Sequence, residues 1–275
     1  MSTAPLPDPA RILLGLGVRR PRPKGQVVLT QPLTPTSGYR RVVTEPVVSA
    51  DGYGRWRATT LGRITERVET RVVFNLAGSL QGKRVLDVGT GDGTYAIEAG
   101  ARGGVVTALD ADLGMLESAR MRAAVRGVRV DFQRGRVEAL PLRDASFDVV
   151  FAVTVLCFVG DAAGAVQEMV RVLAPGGRLV LGELGRFSVW AAERRVRGWL
   201  GARTWRSARF WTRGDLETLA RQAGLRVNEV RGCVYFPRNG LIARIAAPMD
   251  PILTRLRAPG AAFLALAADR PSTSS

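Results

Sequence analysis

Three glycines at alternate positions are the residues whose types and spacing first suggest chemistry. Gly89, Gly91 and Gly93 follow the apolar run 85–88, which is typical of a buried parallel strand, and a helix is predicted to begin near Thr94. Because glycine has no side chain, the polar part of a ligand can lie against backbone amides at the N-terminus of that helix. The segment therefore predicts a cofactor cradle, although a strand-to-helix turn without a ligand has the same local pattern.

A carboxylate at the end of the next apolar segment favours the cofactor interpretation. Residues 105–109 form a second predicted strand that ends in Asp110, about 20 residues after the glycines. In an open α/β sheet, a carboxylate at this place accepts hydrogen bonds from both hydroxyls of a ribose. The dehydrogenase pattern G-x-G-x-x-G requires a glycine at position 94, where this chain has Thr94.

Together with three later motifs, this segment resembles the class I S-adenosylmethionine-dependent methyltransferases, particularly the ubiquinone-biosynthesis type. The resemblance covers residues 53–268, and its motifs stand in the family's order. They are Asp87-x-Gly89-x-Gly91-x-Gly93, Asp110-x-Asp112-x-x-Met115-Leu116, Leu140-Pro141 with Ser146-Phe147-Asp148-Val149-Val150, and Glu168-x-x-Arg171-Val172-Leu173-x-Pro175-Gly176-Gly177. The resemblance implies a doubly wound α/β fold, Rossmann-like, whose seven-stranded sheet has six parallel strands and an antiparallel last strand, with helical lid inserts.

The resemblance also implies that the cofactor is S-adenosylmethionine, and it implies which residues bind it. Those residues are Asp87, Gly89, Thr90, Gly91, Gly93, Asp110, Ala111, Met115, Val137, Glu138 and Val153. Asp112 is predicted to cap the following helix, which places Met115 one turn inside it, either against adenine or in the core.

The chain departs from the family at the adenine edge. The commonest family pattern has an aspartate after Gly135 to accept from the adenine amino group, whereas this chain has Arg136, which can only donate. Either Glu138 or a backbone carbonyl accepts instead, or adenine recognition is weaker, and we favour the first of these two interpretations.

Five side chains are predicted to face the acceptor. Tyr53 and Trp56 resemble the family's helix that closes over the methionine end of the cofactor, although Trp56 packed onto the sheet would have the same pattern. Cys157 follows the fourth strand, whose end faces the sulfonium and the substrate according to the resemblance; a small buried thiol is the other interpretation of Cys157. Glu183 ends the fifth strand, at the carboxyl edge of the sheet where ligands bind. Trp190 lies in the first lid insert.

No catalytic residue is assigned from the sequence. The chain has no histidine, which excludes a histidine base, and its two cysteines argue against a metal site or a disulfide framework. If an acceptor oxygen or carbon must lose a proton, the candidate bases are Glu183, Tyr53, Tyr235 and Cys157. A neutral nitrogen or an acidic phenol would need none of them.

A formal net charge of +16 raises nucleic acid as a partner. However, Lys24 and Lys83 are the only lysines among 40 basic residues, and this arginine skew is also typical of GC-rich codon usage. Four tryptophans, at positions 190, 199, 205 and 211, are interleaved with arginines. We expect a small-molecule acceptor under an aromatic lid, although tryptophans that bury an ordinary cap helix with a solvated arginine face would have the same pattern. The alternatives are an RNA methyltransferase that uses this insert as its platform and a non-catalytic scaffold that keeps the fold.

The organisation of the chain follows from its composition. We expect a proline-rich disordered leader over residues 1–48, a methyltransferase domain over 49–270 with helical inserts at 185–211 and 237–259, and a disordered tail over 271–275. One helix is predicted over 53–80, the third strand over 128–133 and the fifth over 178–183.

No apolar run reaches the ~20 residues of a membrane span, so we expect a cytoplasmic protein. The sequence does not indicate an oligomeric state.

Overall fold

A seven-stranded sheet lies at the centre of the computed structural model, which describes residues 50–272. Its strands are β1 (Arg84–Val88), β2 (Val105–Asp110), β3 (Asp131–Arg134), β4 (Phe147–Val153), β5 (Leu173–Leu184), β6 (Arg226–Cys233) and β7 (Phe263–Asp269). The strand order is β3-β2-β1-β4-β5-β7-β6, and every neighbouring pair is parallel except the two pairs that involve β7. The predicted sheet of six parallel strands and an antiparallel last strand is therefore confirmed.

Ten α-helices surround this sheet within the described part of the chain. They are α1 (Ala50–Ala58), α2 (Thr60–Ala77), α3 (Thr94–Ala101), α4 (Leu113–Val125), α5 (Ala162–Val172), α6 (Val189–Trp199), α7 (Arg203–Arg206), α8 (Arg213–Gln222), α9 (Gly240–Ala246) and α10 (Asp250–Arg255). Helices α6 and α7 lie between β5 and α8, and α9 and α10 lie between β6 and β7.

The apolar residues of the sheet divide into one buried cluster on each face. On one face, Val85 and Phe151 pack with residues of α2 and α3. On the other face, Leu86 and Val150 pack with residues of α5 and α8. This division follows from the alternation of side chains along a strand, and it makes the sheet doubly wound, with both faces covered by helices.

Three boundaries differ from the sequence-based prediction. The helix predicted over 53–80 is two helices, because Thr59 is extended and its side chain caps α2 by accepting from the amide of Gly62. The third strand begins at Asp131 rather than 128, since the amide of Val128 donates to the carbonyl of Ala123 and closes the end of α4. The fifth strand begins at Leu173, well before residue 178.

The predicted leader over residues 1–48 and the last three residues of the predicted tail lie outside the described residues. Between residues 50 and 272, none of the helices has the length and apolar character needed to cross a bilayer.

Candidate functional site

The turn after β1 has the backbone geometry that only glycine adopts without strain. Gly89 has a φ of +64°, and a Cβ at this position would lie 2.5 Å from Cγ2 of Val155 in the segment after β4. Gly91 has a φ of +55°, and no atom lies within 4 Å of the place where its Cβ would stand. Gly89 thus permits close packing beneath the turn, whereas Gly91 leaves bare backbone beside open space that a ligand can fill.

Asp87 and Thr90 brace this turn from inside. The carboxylate of Asp87 is buried and accepts the hydroxyl of Thr90 at 2.6 Å, while the amide of Thr90 donates to the carbonyl of Leu109 at 2.9 Å. Burial raises the pKa of Asp87 to about 7. These contacts join the turn to the end of β2, so the carboxyl ends of the two strands lie side by side.

Asp110 connects the end of β2 to the glycine turn. One carboxylate oxygen accepts from the amide of Gly91 at 2.8 Å, and the other accepts from the amide of Asp112 at 2.9 Å. Burial raises the pKa of Asp110, although both amides oppose this shift by favouring the ionised form. A carboxylate has about four lone-pair sites, so each oxygen keeps capacity for one further donor such as a ribose hydroxyl.

The residues predicted along the adenine edge lie in the segments that follow β2 and β3. Asp112 caps α4 by accepting from the amide of Met115 at 2.9 Å, as predicted, and Met115 is half-buried in the first turn of the helix. Val137 is buried, whereas Ala111 and Glu138 are exposed. The Glu138 carboxylate forms an ion pair with Arg136 at 3.0 Å.

An ion-pair network that sequence reasoning missed covers the glycine turn. Asp92 is only 3% exposed, and its carboxylate lies 2.6 Å from Nη2 of Arg57 in α1 and 2.8 Å from Nη1 of Arg122 in α4. The contact between Arg57 and Asp92 has the distance of an ion pair but not the geometry of a hydrogen bond. The Nη1 of Arg57 donates instead to the hydroxyl of Thr94 at 2.8 Å. The only local signal was an acidic residue between two glycines, because its partners lie 35 and 30 positions away in the chain.

The two aromatic residues predicted near the methionine end of the cofactor lie together in α1. The ring centroids of Tyr53 and Trp56 are 5.5 Å apart, and the Arg57 guanidinium lies 5.6 Å from the centroid of Tyr53. Burial raises the pKa of Tyr53, and the nearby carboxyl of Glu69 raises it further. The same α1 segment therefore carries both aromatic side chains and the arginine that reaches the glycine turn.

Glu183 and Cys157 are buried at the carboxyl ends of β5 and β4. The Glu183 carboxyl accepts from the amides of Leu156 at 2.8 Å and Cys157 at 3.1 Å, and burial raises its pKa to about 8. Burial also raises the pKa of the Cys157 thiol, with a further contribution from Glu183. Glu183 thus holds the segment that follows Val153, which is itself buried at the end of β4. The other candidate base, Tyr235, donates its hydroxyl to the carbonyl of Ala258 at 3.2 Å.

Trp190 joins the two helical inserts. Its indole Nε1 donates to the carbonyl of Phe236 at 2.7 Å, and the ring is 3% exposed. The guanidinium groups of Arg194 and Arg238 lie 5.2 and 5.3 Å from its ring centroid, and Arg238 also pairs with Glu193 at 2.9 Å. The first insert is therefore fastened to the segment that begins the second.

The sequence is similar to those of known methyltransferases. A family model described as a methyltransferase domain matches residues 86–181. An uncharacterized protein of Mycobacterium tuberculosis is 33% identical over 264 residues, which cover 94% of this chain and 85% of the relative. A ubiquinone biosynthesis O-methyltransferase of Alkalilimnicola ehrlichii is 33% identical over 175 residues, which cover 61% of this chain and 70% of the relative.

Solved structures show the same architecture. A Thermotoga maritima structure described as an S-adenosylmethionine-dependent methyltransferase, possibly a histamine N-methyltransferase, aligns with a TM-score of 0.61 at 25% identity, covering 80% of this chain and 95% of that one. Magnesium protoporphyrin IX methyltransferase from Synechocystis, with bound S-adenosylhomocysteine, aligns with a TM-score of 0.59 at 17% identity. This alignment covers 80% of this chain and 94% of that one, and it shows that the two chains share a fold.

Proposed function

Because the chain belongs to the class I S-adenosylmethionine-dependent methyltransferases, we propose that it methylates a small organic acceptor beneath the helical inserts. S-adenosylmethionine is the methyl donor, and the relatives include enzymes that methylate oxygen in ubiquinone biosynthesis. An oxygen of a hydroxylated small molecule is therefore the acceptor atom that we propose.

The residues of the cofactor side fit this donor. The bare backbone at Gly91 can receive the polar chain of the donor, and Asp110 keeps lone pairs for the ribose hydroxyls. We propose that Met115 and Val137 pack against the adenine and that Glu138 accepts from its amino group by turning from Arg136.

Few protein side chains need to take part in the chemical step. The bound donor supplies a methyl group on a sulfonium sulfur, which is already activated toward a nucleophile. The protein has to align the acceptor atom in line with that methyl and keep water away. We propose that Tyr53 and Trp56 in α1, together with the segment that Glu183 holds after β4, contribute walls for this purpose. An acceptor that reacts as a phenolate would need no base from the protein.

The burial of the insert tryptophans is the observation that favours a small acceptor over RNA. Trp190 and Trp211 are 3% and 1% exposed, and Trp205 is half-buried, whereas Trp199 alone among the four is largely exposed. A platform for single-stranded nucleic acid presents aromatic faces to successive bases, and three of these four rings point into the protein instead.

Methyl transfer from radiolabelled S-adenosylmethionine tests the proposal. We would incubate the full-length protein with phenols, catechols, amines and mixed cellular RNA, and follow the label in small-molecule and RNA fractions. Asp110→Asn serves as the control with an impaired cofactor site. We expect label in hydroxylated small molecules only, and none with the variant at matched cofactor concentration. Label in RNA alone would refute the proposal.

A further inference from the structure

One half-buried cation in the first insert forms no ion pair with a carboxylate among residues 50–272. Arg194 lies four residues after Trp190, on the same side of α6. Its guanidinium carbon is 5.2 Å from the ring centroid of Trp190 and 4.7 Å from that of Trp205 in α7. Helices α6 and α7 can approach this closely because Gly198 presents no side chain to the backbone at Trp205. The two tryptophans therefore hold the guanidinium in place.

These ring contacts do not supply hydrogen-bond acceptors. The Nε of Arg194 is buried without a hydrogen-bond partner, and within residues 50–272 the guanidinium makes no hydrogen bond and no ion pair with a carboxylate. The two Nη groups keep access to open space, since only Nε is fully enclosed. An enclosed N–H group without an acceptor is costly in a folded protein, and the two accessible Nη groups can reach a ligand that supplies acceptors.

The acidic residues near Arg194 do not supply the missing charge. Glu193 is shared by Arg197 at 3.0 Å and Arg238 at 2.9 Å. Glu69 of α2 lies within electrostatic range of Arg194, but burial raises its pKa to about 8, so it is mainly neutral at pH 7. The local charge is therefore positive, and Arg238 adds to it from across Trp190.

The position of Arg194 relates this charge to the reaction site. Trp205, which holds Arg194, packs against a buried cluster that contains Cys157, in the segment after β4, and Leu184, at the end of β5. That end of the sheet adjoins the glycine turn, because Val155 packs against Gly89. A molecule lying between Arg194 and the glycine turn would thus lie along the carboxyl edge of the sheet, where open α/β sheets bind their ligands.

We propose that Arg194 binds a carboxylate on a flat, hydroxylated acceptor, with the half-buried Trp205 forming a wall beside it and the buried Trp190 holding the guanidinium in place. Planar guanidinium groups match carboxylates with two parallel hydrogen bonds, and flat aromatic walls favour a flat ligand. The inference rests on the proposed function, and it specifies the substrate class that the same site takes.

Matched pairs of ligands test the inference on protein saturated with S-adenosylhomocysteine. We would measure by calorimetry the binding of the three isomeric hydroxybenzoates, the three corresponding hydroxybenzamides and phenyl phosphate. We expect at least one hydroxybenzoate to bind ten-fold or more tightly than its amide. Arg194→Gln should abolish this preference, whereas Arg197→Gln, an exposed position on the same helix, should retain it. Arg194→Lys should keep part of the preference, and thermal melts would verify that each variant is folded.

Other outcomes separate the inference from the proposed function. Equal affinity for acids and amides, with methyl transfer to neutral phenols, would overturn the inference and leave the proposed function in place. Tighter binding of phenyl phosphate would reject the carboxylate. A loss of S-adenosylhomocysteine affinity in Arg194→Gln would place Arg194 on the cofactor and also reject the inference. Methylation of RNA, with no small molecule bound, would reject the proposed function itself.

Discussion

Replacing Asp92 by asparagine removes the charge at the centre of the network over the glycine turn. The substitution keeps the shape of the side chain but leaves Arg57 and Arg122 facing a neutral amide in a site where the carboxylate is 3% exposed. Breaking a buried ion pair by removing one partner typically costs about 3 to 5 kcal/mol. Since the two arginine side chains are 15% and 28% exposed and can recover some hydration, we expect about 3 kcal/mol.

Thermal denaturation provides the assay. For a domain of 150–250 residues, each kcal/mol lowers the Tm by about 2 to 4 °C, so Asp92→Asn should lower it by about 6 to 12 °C. Asp148→Asn is the matched control, because Asp148 pairs with Arg84 at 2.6 Å while the side chains of Arg84 and Asp148 are 51% and 35% exposed. The Arg84 backbone amide, which donates to Asp148 at 2.9 Å, can still donate to the asparagine oxygen. An exposed pair contributes about 0 to 1 kcal/mol, which corresponds to at most about 4 °C.

The comparison between the two variants decides the argument. Equal shifts for Asp92→Asn and Asp148→Asn would refute the reasoning that burial gives the Asp92 network its strength. We also expect Asp92→Asn to weaken S-adenosylhomocysteine binding, since the network joins α1 and α4 to the turn. In a background of Arg57→Gln and Arg122→Gln, the additional cost of Asp92→Asn should be much smaller.

Three further predictions concern the turn and the space beside it. Asp110→Asn should weaken S-adenosylhomocysteine binding more than ten-fold in calorimetry, because the carboxylate that accepts from Gly91, and that we propose binds the ribose, becomes an amide. Unchanged affinity in a folded variant would reject the ribose assignment. Burial raises the pKa of Glu69 from 4.5 to about 8. The stabilisation of the fold that is linked to protonated Glu69 is therefore fully present below pH 4.5 and is lost as the pH rises through 8. Glu69→Gln should therefore lose less Tm than the wild type between pH 6 and 9, and parallel curves would contradict this. Gly89→Ala should lower both Tm and cofactor affinity, since its Cβ would stand 2.5 Å from Val155. A variant with the same Tm as the wild type would show that the segment around Val155 moves aside without a loss of stability.

The parts of the structure that the sequence predicts well are those decided by neighbouring residues. The apolar strands, the glycine turn and the cap that Asp112 provides for α4 all depend on residues within a few positions of one another. The break between α1 and α2 also has a local signal, because the side chain of Thr59 caps α2. The apolar spacing continues across Thr59, however, and it predicts one helix where the structure has two.

The parts that the sequence does not predict depend on contacts between distant segments. Asp92 receives its partners from α1 and α4, and Arg194 contacts Trp205 of α7 and interacts electrostatically with Glu69 of α2, so neither environment can be found from local pattern. Glu183 was predicted to face the substrate because it ends a strand, and its hydrogen bonds to Leu156 and Cys157 depend on the register of β4 and β5. Whether it also faces the acceptor stays a prediction.

The insertion of β7 between β5 and β6 has a consequence for the order in which the protein is made. Within residues 50–272, β6 pairs only with β7, and β5 pairs with β4 and β7, so the antiparallel last strand joins the outer strand to the rest of the sheet. During synthesis, residues up to 262 leave the ribosome before the strand that completes the sheet. Until Phe263–Asp269 emerges, two strand edges rich in unpaired backbone groups are bare, and the nascent chain is open to pairing with other chains. The glycine turn can form early from β1 and β2, but the half of the sheet that supports both helical inserts must wait for that last strand.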